Sequence, residues 1–220
     1  MKIKNLSDLL SLTEKFYLYL DGKISFDEYG YPIFKSEMFL KVWPNLIIPY
    51  SQRKNRIVTS KKKTVLCFYD SDKNLYPRIA KVIDEIDEYK AYLGVIGLDI
   101  TITDDMDSEW QEYTFLLNQL FLAVLAVNGI QIAVNTRSAG LDINTIFINI
   151  PQNATVASGF LGCDLCKNEH DFSYLTKILT LLPEKLIIYG KHDKHIEAQL
   201  DTMGINYRVY KDFHRLCKEV

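Results

Sequence analysis

Residues 94–137 read GVIGLDITITDDMDSEWQEYTFLLNQLFLAVLAVNGIQIAVNTR and decide the fold class. An apolar run over 94–100 is followed by an acidic loop, a long apolar segment that begins at Ser108, a turn containing Gly129, and a second apolar run over 130–135. Short continuous apolar runs are typical of strands buried on both faces of a parallel sheet, and the segment between them has helical length. The stretch therefore predicts one strand–helix–strand crossover unit of an α/β fold.

The same alternation of apolar runs and amphipathic segments continues from residue 64 towards the C-terminus. It predicts a mostly parallel six-stranded sheet with crossover helices. Because six strands are too few for the eight-stranded (β/α) barrel, the favoured architecture is an incomplete (β/α) barrel, and an open doubly wound sheet is the alternative. The predicted strands are 64–69, 94–100, 130–135, 145–150, 185–189 and 205–210, and the predicted helices are 72–86, 108–127, 173–182, 195–203 and 211–218.

The first third of the chain has a different character. Residues 5–21 have apolar side chains at helical spacing and predict an amphipathic helix, although Asp21-Gly22 is also a turn pair that suits a hairpin. The segment that follows is rich in aromatic residues and prolines, which limit regular structure. We therefore expect a helical and irregular N-terminal arm with a basic loop over 1–63, packed on a single α/β domain over 64–220.

Composition excludes several classes of protein. The 220-residue chain is 48% apolar and 25% charged, with a formal net charge of −2, which is typical of a soluble globular protein. The N-terminus has no signal-peptide pattern, and no apolar run approaches the roughly 20 residues needed to cross a membrane. Four unevenly spaced cysteines predict reduced thiols and a cytoplasmic setting, and the modest net charge commits the chain to neither nucleic acid nor membrane.

Polar residues follow several of the predicted strands. In both candidate architectures ligands bind at the carboxyl ends of the strands, so these residues predict one site. An acidic residue inside an apolar strand, such as Asp99, needs a partner or a function, and the chemistry fits either an ion pair with Arg137 or a ligand site. Carboxylates facing cationic side chains could hold Mg²⁺ with a phosphorylated or nucleotide-like ligand. The candidate ligand-binding residues are Asp70, Asp99, Asn135, Arg137 and Lys191.

The clearest charge run lies over 51–63, where six of thirteen residues are basic and none is acidic. Such a run is commonly a solvated loop, but clustered cations also contact nucleic-acid phosphates. The candidate nucleic-acid residues are Arg53, Lys54, Arg56, Lys61, Lys62 and Lys63.

A second group of candidates is Cys163, Cys166 and His170. Two thiols and an imidazole are zinc ligands, but a structural zinc site needs a fourth ligand and no second CxxC pair exists, so an ordinary loop is favoured. Phosphate-binding glycine motifs and the Gly-x-Ser-x-Gly elbow are absent from the sequence, and all four histidines are late. We therefore expect no cofactor, with Mg²⁺ or Zn²⁺ as weak alternatives, and assign no catalytic residue.

Several short motifs together resemble an uncharacterised domain-of-unknown-function family found in bacteriophages, plasmids and other mobile elements of Gram-positive bacteria. The resemblance covers roughly residues 29–191 and implies a phage or mobile-element accessory protein that acts in the bacterial cytoplasm. It carries no known activity or ligand. The motifs are Tyr29-Gly30-Tyr31-Pro32-Ile33, Gly97-Leu98-Asp99-Ile100-Thr101 with Asp105-Met106-Asp107, Asn118, Asn128-Gly129-Ile130 and Tyr189-Gly190-Lys191.

Three functions are compatible with these observations, and nothing in the sequence decides the oligomeric state or whether the protein is an enzyme. The first is binding of a host or phage protein, for example one involved in replication, because aromatic residues are enriched at interfaces and the arm is rich in them. The second is an enzyme or small-ligand binder at the strand edge, and the third is nucleic-acid binding through the basic run. The arm aromatics are Phe16, Tyr17, Tyr19, Phe26, Tyr29, Tyr31, Phe34, Phe39 and Trp43.

Overall fold

A computed structural model describes residues 5–103, 105–138, 141–159 and 173–218. Helices and strands alternate along almost all of this length. The strands are β1 (Leu46–Pro49), β2 (Thr64–Phe68), β3 (Gly94–Leu98), β4 (Ile132–Asn135), β5 (Thr155–Gly159), β6 (Lys185–Gly190) and β7 (Tyr207–Lys211). The helices are α1 (Leu6–Leu20), α2 (Asp72–Ile79), α3 (Ile86–Lys90), α4 (Ser108–Val127), α5 (Ile143–Ile146), α6 (Ser173–Leu181), α7 (Lys194–Thr202) and α8 (Phe213–Cys217).

All seven strands form one parallel sheet, and each strand pairs with the next one in the chain, in the order β1 to β7. A doubly wound sheet reverses its strand order partway along, whereas a (β/α) barrel does not. The incomplete (β/α) barrel is therefore confirmed, with seven strands where the sequence predicted six.

Side chains close the seam between the two end strands. The Tyr210 hydroxyl of β7 donates a hydrogen bond to the carbonyl oxygen of Pro44, just before β1, at 3.0 Å. The guanidinium carbon of Arg208 lies 4.8 Å from the centre of the Trp43 ring, within cation–π range. These contacts bring the end of the sheet back onto its beginning.

The barrel interior is a small hydrophobic cluster of its own. Alternate residues of each strand point to it, as the two-residue period of a strand requires. The apolar side chains that β4 and β5 contribute to this cluster are small, namely Ala133 and Ala157. Its buried members are Leu40, Ile47, Val65, Cys67, Tyr69, Ile96, Ala133, Ala157, Ile187 and Tyr189.

Helix α4 is the central helix of the outer layer. It packs on β3 and β4, and α1 covers its other side through buried residues that include Leu9, Leu12 and Phe16. Burial on nearly all sides explains why its sequence after Thr114 is apolar around the whole helix except at Asn118 and Gln119, which are themselves buried. The predicted N-terminal helix is confirmed as α1. No helix within the described ranges combines the length and the apolar character that a membrane span requires.

One predicted strand was wrong. Residues 145–150 are not a strand, because Asp142 starts the short helix α5 by accepting hydrogen bonds from the amide of Asn144 and the hydroxyl of Thr145. The strand that actually follows β4 is β5, which begins ten residues later than predicted, at Thr155–Gly159. Its sequence, TVASG, has small residues that fit the interior but look weakly apolar in isolation.

Two other boundaries also differ from the sequence prediction. The segment predicted as an irregular arm contributes strand β1, a four-residue edge strand that ends at Pro49, a position where proline is tolerated. The helix predicted over 72–86 is two helices, α2 and α3.

Candidate functional site at the barrel mouth

Three of the five predicted ligand-binding residues meet at the carboxyl ends of β3 and β4. Oδ1 of Asp99 accepts hydrogen bonds from Nδ2 of Asn135 at 3.2 Å and from a terminal nitrogen of Arg137 at 3.1 Å. Oδ1 of Asn135 in turn accepts the backbone N–H of Arg137 at 3.2 Å. The sequence prediction that Arg137 is the partner of Asp99 agrees with this geometry.

This cluster is only partly enclosed. The side chain of Asp99 is 22% exposed and that of Arg137 is 28% exposed. Only one guanidinium nitrogen and one carboxylate oxygen are used in their contact, which leaves further donors on Arg137 and Oδ2 of Asp99 for another molecule. An ion pair that solvent reaches contributes little to stability, so folding alone does not explain why it is there.

Helix α4 fixes the position of the cluster. Oδ1 of Asn118 accepts the backbone N–H of Leu98 at 2.9 Å, and Nδ2 of Asn135 donates to the carbonyl oxygen of Leu98 at 3.0 Å. A Cβ atom added to Gly97 would lie 3.0 Å from Oδ1 of Asn118, so glycine lets the strand and helix approach. The two peptide groups on either side of Leu98 are thereby held in place, and this role of Asn118 was not predicted from the sequence.

Next to this cluster, Tyr69 follows the end of β2 at the barrel mouth, the opening that the carboxyl ends of the strands surround. Its ring stacks on Tyr189 with centroids 5.0 Å apart, and it lies where a Cβ atom of Gly159 would be. The residue is 7% exposed, yet its hydroxyl has no hydrogen-bond partner among the described residues. Burial raises the pKa of this hydroxyl well above its ordinary value, and the nearby charge of Asp99 raises it further. Tyr69 is therefore a neutral donor that lacks an acceptor.

Two adjoining cavities open at the same edge of the barrel, near β1 and β2. One has a volume of about 380 Å³ and is lined partly by cationic side chains, and the other has about 350 Å³ and is lined partly by rings. Both include Ser51, Asp70 and Asn74. The first also includes Lys73, Arg78 and Lys81, and the second also includes Tyr69, Tyr189, Phe213 and His214.

Asp70 and Lys191 thus have different settings from the other three candidates. Oδ1 of Asp70 accepts the N–H of Ser71 at 2.7 Å and Nδ2 of Asn74 at 3.0 Å, so this carboxylate lies in the wall that the two cavities share. Lys191 is exposed just beyond β6 and makes no hydrogen bond or ion pair with the other four candidates. Asp70 was a candidate because it follows a strand. Lys73 and Arg78 lie on helix α2, so a search of strand ends could not identify them.

Metal-binding groups are scarce in the described ranges. No group of three His, Cys, Asp or Glu side chains there is placed to hold a metal ion. Cys163, Cys166 and His170 lie outside the described residues. Cys67 is buried inside the barrel, and burial raises the pKa of its thiol, which keeps it protonated and unreactive.

Half of the basic run makes contacts within the protein. Arg53 pairs with Glu88 at 3.4 Å and packs over the ring of Tyr50. Nζ of Lys62 donates to the carbonyl oxygen of Lys90, and Lys61 lies over the Tyr92 ring. Lys54, Arg56 and Lys63 are exposed. Nucleic-acid binding through this run stays a prediction, with fewer free cations than the sequence suggested.

Most arm aromatics are part of the core. Phe16, Phe34 and Phe39 are buried, and Tyr17 and Phe26 pack against each other edge to face. Tyr29 is the main exception, and it lines a third cavity of about 510 Å³ beside the first turns of α4. Core packing therefore accounts for the aromatic content, and the hypothesis of a protein partner stays a prediction.

Comparison with known proteins gives one finding. No curated protein and no solved structure matches the chain significantly. A family model described as a domain of unknown function, DUF4417, matches residues 25–210, from shortly after the end of α1 through most of β7. The matched residues include β1 to β6, all but the last residue of β7, and the mouth cluster of Asp99, Asn135 and Arg137. The chain therefore belongs to the DUF4417 family of uncharacterised domains.

Proposed function

We propose that the protein binds a small phosphorylated molecule at the mouth of its barrel. The observation that carries the proposal is the partly exposed cluster of Asp99, Asn135 and Arg137 at the ends of β3 and β4. In this arrangement Arg137 binds the phosphate, and Asp99 and Asn135 hold a neighbouring hydroxyl or amine.

The chemistry of the cluster supports an anionic ligand. A guanidinium group presents a planar fork of donors that matches a phosphate, and Asp99 occupies only part of that fork. Asp99 also orients Arg137, since the ion pair and the bond from Asn135 converge on the same carboxylate oxygen. A ligand phosphate would gain a preorganised donor instead of a flexible surface cation.

The position of the cluster supports the same proposal. In (β/α) barrels the carboxyl ends of the strands form the binding face, because loops that vary freely surround a rigid sheet there. The alternative is a purely structural ion pair between Asp99 and Arg137. That alternative leaves the orphan hydroxyl of Tyr69 beside the pair without an explanation.

Ligand binding can be tested by thermal shift and by isothermal titration calorimetry. The panel contains inorganic phosphate, sugar phosphates and nucleotides, each with and without Mg²⁺. A molecule that binds only the folded state raises the unfolding midpoint, because it stabilises that state by RT ln(1 + L/Kd), where L is the free ligand concentration. We expect at least one phosphorylated compound to raise the midpoint, and Arg137→Met to weaken its binding at least tenfold.

The matched control is Arg56→Met, which removes one exposed cation of the basic run and should leave binding unchanged. Arg137→Met should change the unfolding midpoint of the free protein only slightly, because the ion pair is partly exposed. The proposal fails if no compound on the panel shifts the midpoint, or if the Arg137 variant binds as tightly as the original protein.

A further inference from the structure

The two neighbouring cavities, which share Ser51, Asp70 and Asn74, differ in the side chains that line them. One end carries cationic side chains, the shared wall is polar, and the other end carries rings. This order matches the order of chemical groups in a nucleotide: phosphate, sugar and base. We infer that these two cavities bind a nucleoside phosphate. Asp99, Asn135 and Arg137 line neither cavity, so this is a second site beside that cluster and the inference goes beyond the function proposed above.

The phosphate end is the cavity beside α2. Lys73 in α2 and Lys81 in the turn after it are exposed there, and Arg78 lies between them in the sequence. Arg78 is 41% exposed and reaches Glu85 at only 3.5 Å, so its guanidinium group keeps donors for an anion. Three cations face a single carboxylate, Asp70, in this lining, and the local charge therefore favours a phosphate.

Asp70 fits the sugar between the two ends. Oδ1 of this carboxylate is used by the amide of Ser71 and by Asn74, which orients the group and leaves Oδ2 unoccupied. A carboxylate that accepts hydrogen bonds from ribose hydroxyls is a recurring feature of nucleotide sites. This role explains why one acidic residue belongs in a cavity that is otherwise cationic, with the Ser51 hydroxyl beside it.

The base end is the cavity lined by rings. Phe213 is half-buried and His214 is exposed, so both rings are available for stacking on a planar base. Tyr69 lines the same cavity with a buried hydroxyl that has no partner in the described structure. The Tyr69 residue therefore contributes apolar ring surface to the base end, whereas its enclosed hydroxyl is not accessible from the cavity.

Calorimetry with defined fragments tests the inference. The probes are adenosine and guanosine monophosphates, cytidine and uridine monophosphates, ribose 5-phosphate, adenosine and inorganic pyrophosphate. We expect at least one nucleoside monophosphate to bind at least tenfold more tightly than ribose 5-phosphate. The double variant Lys73→Ala/Lys81→Ala should lose at least tenfold in affinity for that nucleotide and should bind the corresponding nucleoside as before.

A second variant tests the ring end separately. Phe213→Leu should reduce the preference for the nucleotide over ribose 5-phosphate at least threefold, and circular dichroism of each variant checks that it is folded. The control is Lys90→Ala on α3, which removes an exposed lysine away from both cavities and should change no affinity.

The outcomes separate this inference from the proposed function. If ribose 5-phosphate binds as tightly as every nucleotide and still depends on Arg137, the nucleotide inference is overturned and the proposed function stands. If a nucleotide binds through Lys73 and Lys81 and its affinity is unchanged by Arg137→Met, this inference is supported, and the proposed function then requires another phosphorylated compound whose binding depends on Arg137. If no probe binds, both are overturned.

Discussion

At the scale of single residues, the ring and the hydroxyl group of Tyr69 have different roles. Its ring fills the barrel mouth between Gly159 and Tyr189, whereas its hydroxyl contributes no hydrogen bond within the described structure. The ring therefore has a structural role and the hydroxyl does not. A residue that is buried, polar and unsatisfied is uncommon in native proteins, which directs attention to what would satisfy it.

The substitution Tyr69→Phe removes only that hydroxyl. Because a buried hydroxyl without a partner stabilises nothing, we expect the free energy of unfolding to stay the same or to rise by up to about 1 kcal/mol. Nucleotide binding should be unchanged in the same variant, because the enclosed hydroxyl is not accessible from the cavity. Urea denaturation and calorimetry measure the two quantities.

The result would count against this assignment if stability fell by more than about 1 kcal/mol, because the hydroxyl would then have a partner in solution. The control is Tyr174→Phe. The hydroxyl groups of Tyr174 and Ser158 lie 2.8 Å apart as a buried hydrogen-bonded pair, so this change should reduce stability.

At the scale of elements, the junction of α4 with β3 and β4 controls the site. The sequence predicted the strand–helix–strand unit and the nearness of Asp99 to Arg137, because parallel strands end at the same edge of a sheet. It could not show that Asn118, in the middle of an apolar helix, accepts a strand amide. A polar residue in a buried helix has many compatible partners, and only the packing of helix on sheet selects one.

Replacing Asn118 by alanine should therefore affect both stability and binding. The amide of Leu98 would lose its acceptor in a buried position, at a cost of about 1–3 kcal/mol in the free energy of unfolding. The end of β3 would also be less firmly held, so ligand affinity should fall. Urea denaturation and calorimetry with the best ligand of the panel measure these changes.

Asn45→Ala provides the comparison, since Asn45 is an exposed asparagine just before β1. Its stability change should stay within about 0.5 kcal/mol. Equal effects of the two substitutions would mean that the bond from Asn118 does not hold the strand.

At the scale of the whole molecule, buried tyrosines make stability depend on alkaline pH. Burial is the main cause that raises the pKa values of Tyr31, Tyr50 and Tyr76 from 10.0 to about 12. The neutral phenol is thus favoured in the folded state relative to the unfolded state. Their contribution to stability is complete below about pH 10 and is lost as the pH rises towards 12.

We expect the free energy of unfolding to fall steeply between about pH 10 and 12 and to be nearly independent of these groups from pH 8 to 9.5. Urea denaturation across this range measures the fall, and absorbance at 295 nm follows tyrosine ionisation. Tyr76→Phe should make the fall less steep, because one group with a raised pKa is removed. A stability that is flat to pH 12 would contradict the prediction.

The barrel itself shows why some elements were harder to predict than others. Helices α1 and α4 are long, and their apolar residues recur at helical spacing or without a break. Few other secondary structures would bury so many apolar side chains, so both helices were predicted correctly. Strands β1 and β5 were missed because one is a short edge strand and the other supplies small residues to the barrel interior. Their identity depends on neighbours distant in the chain.

The sequence by itself determined the α/β class and the parallel sheet, favoured a barrel over an open sheet, and predicted the meeting of Asp99, Asn135 and Arg137 at one edge. These features follow from local apolar periodicity and from the rule that parallel strands share an orientation. The tertiary structure alone decided the closing of the seam, the orphan hydroxyl of Tyr69 and the cationic and aromatic cavities around Asp70. Those features depend on which surfaces of separate elements face each other, and sequence spacing does not encode that for distant segments.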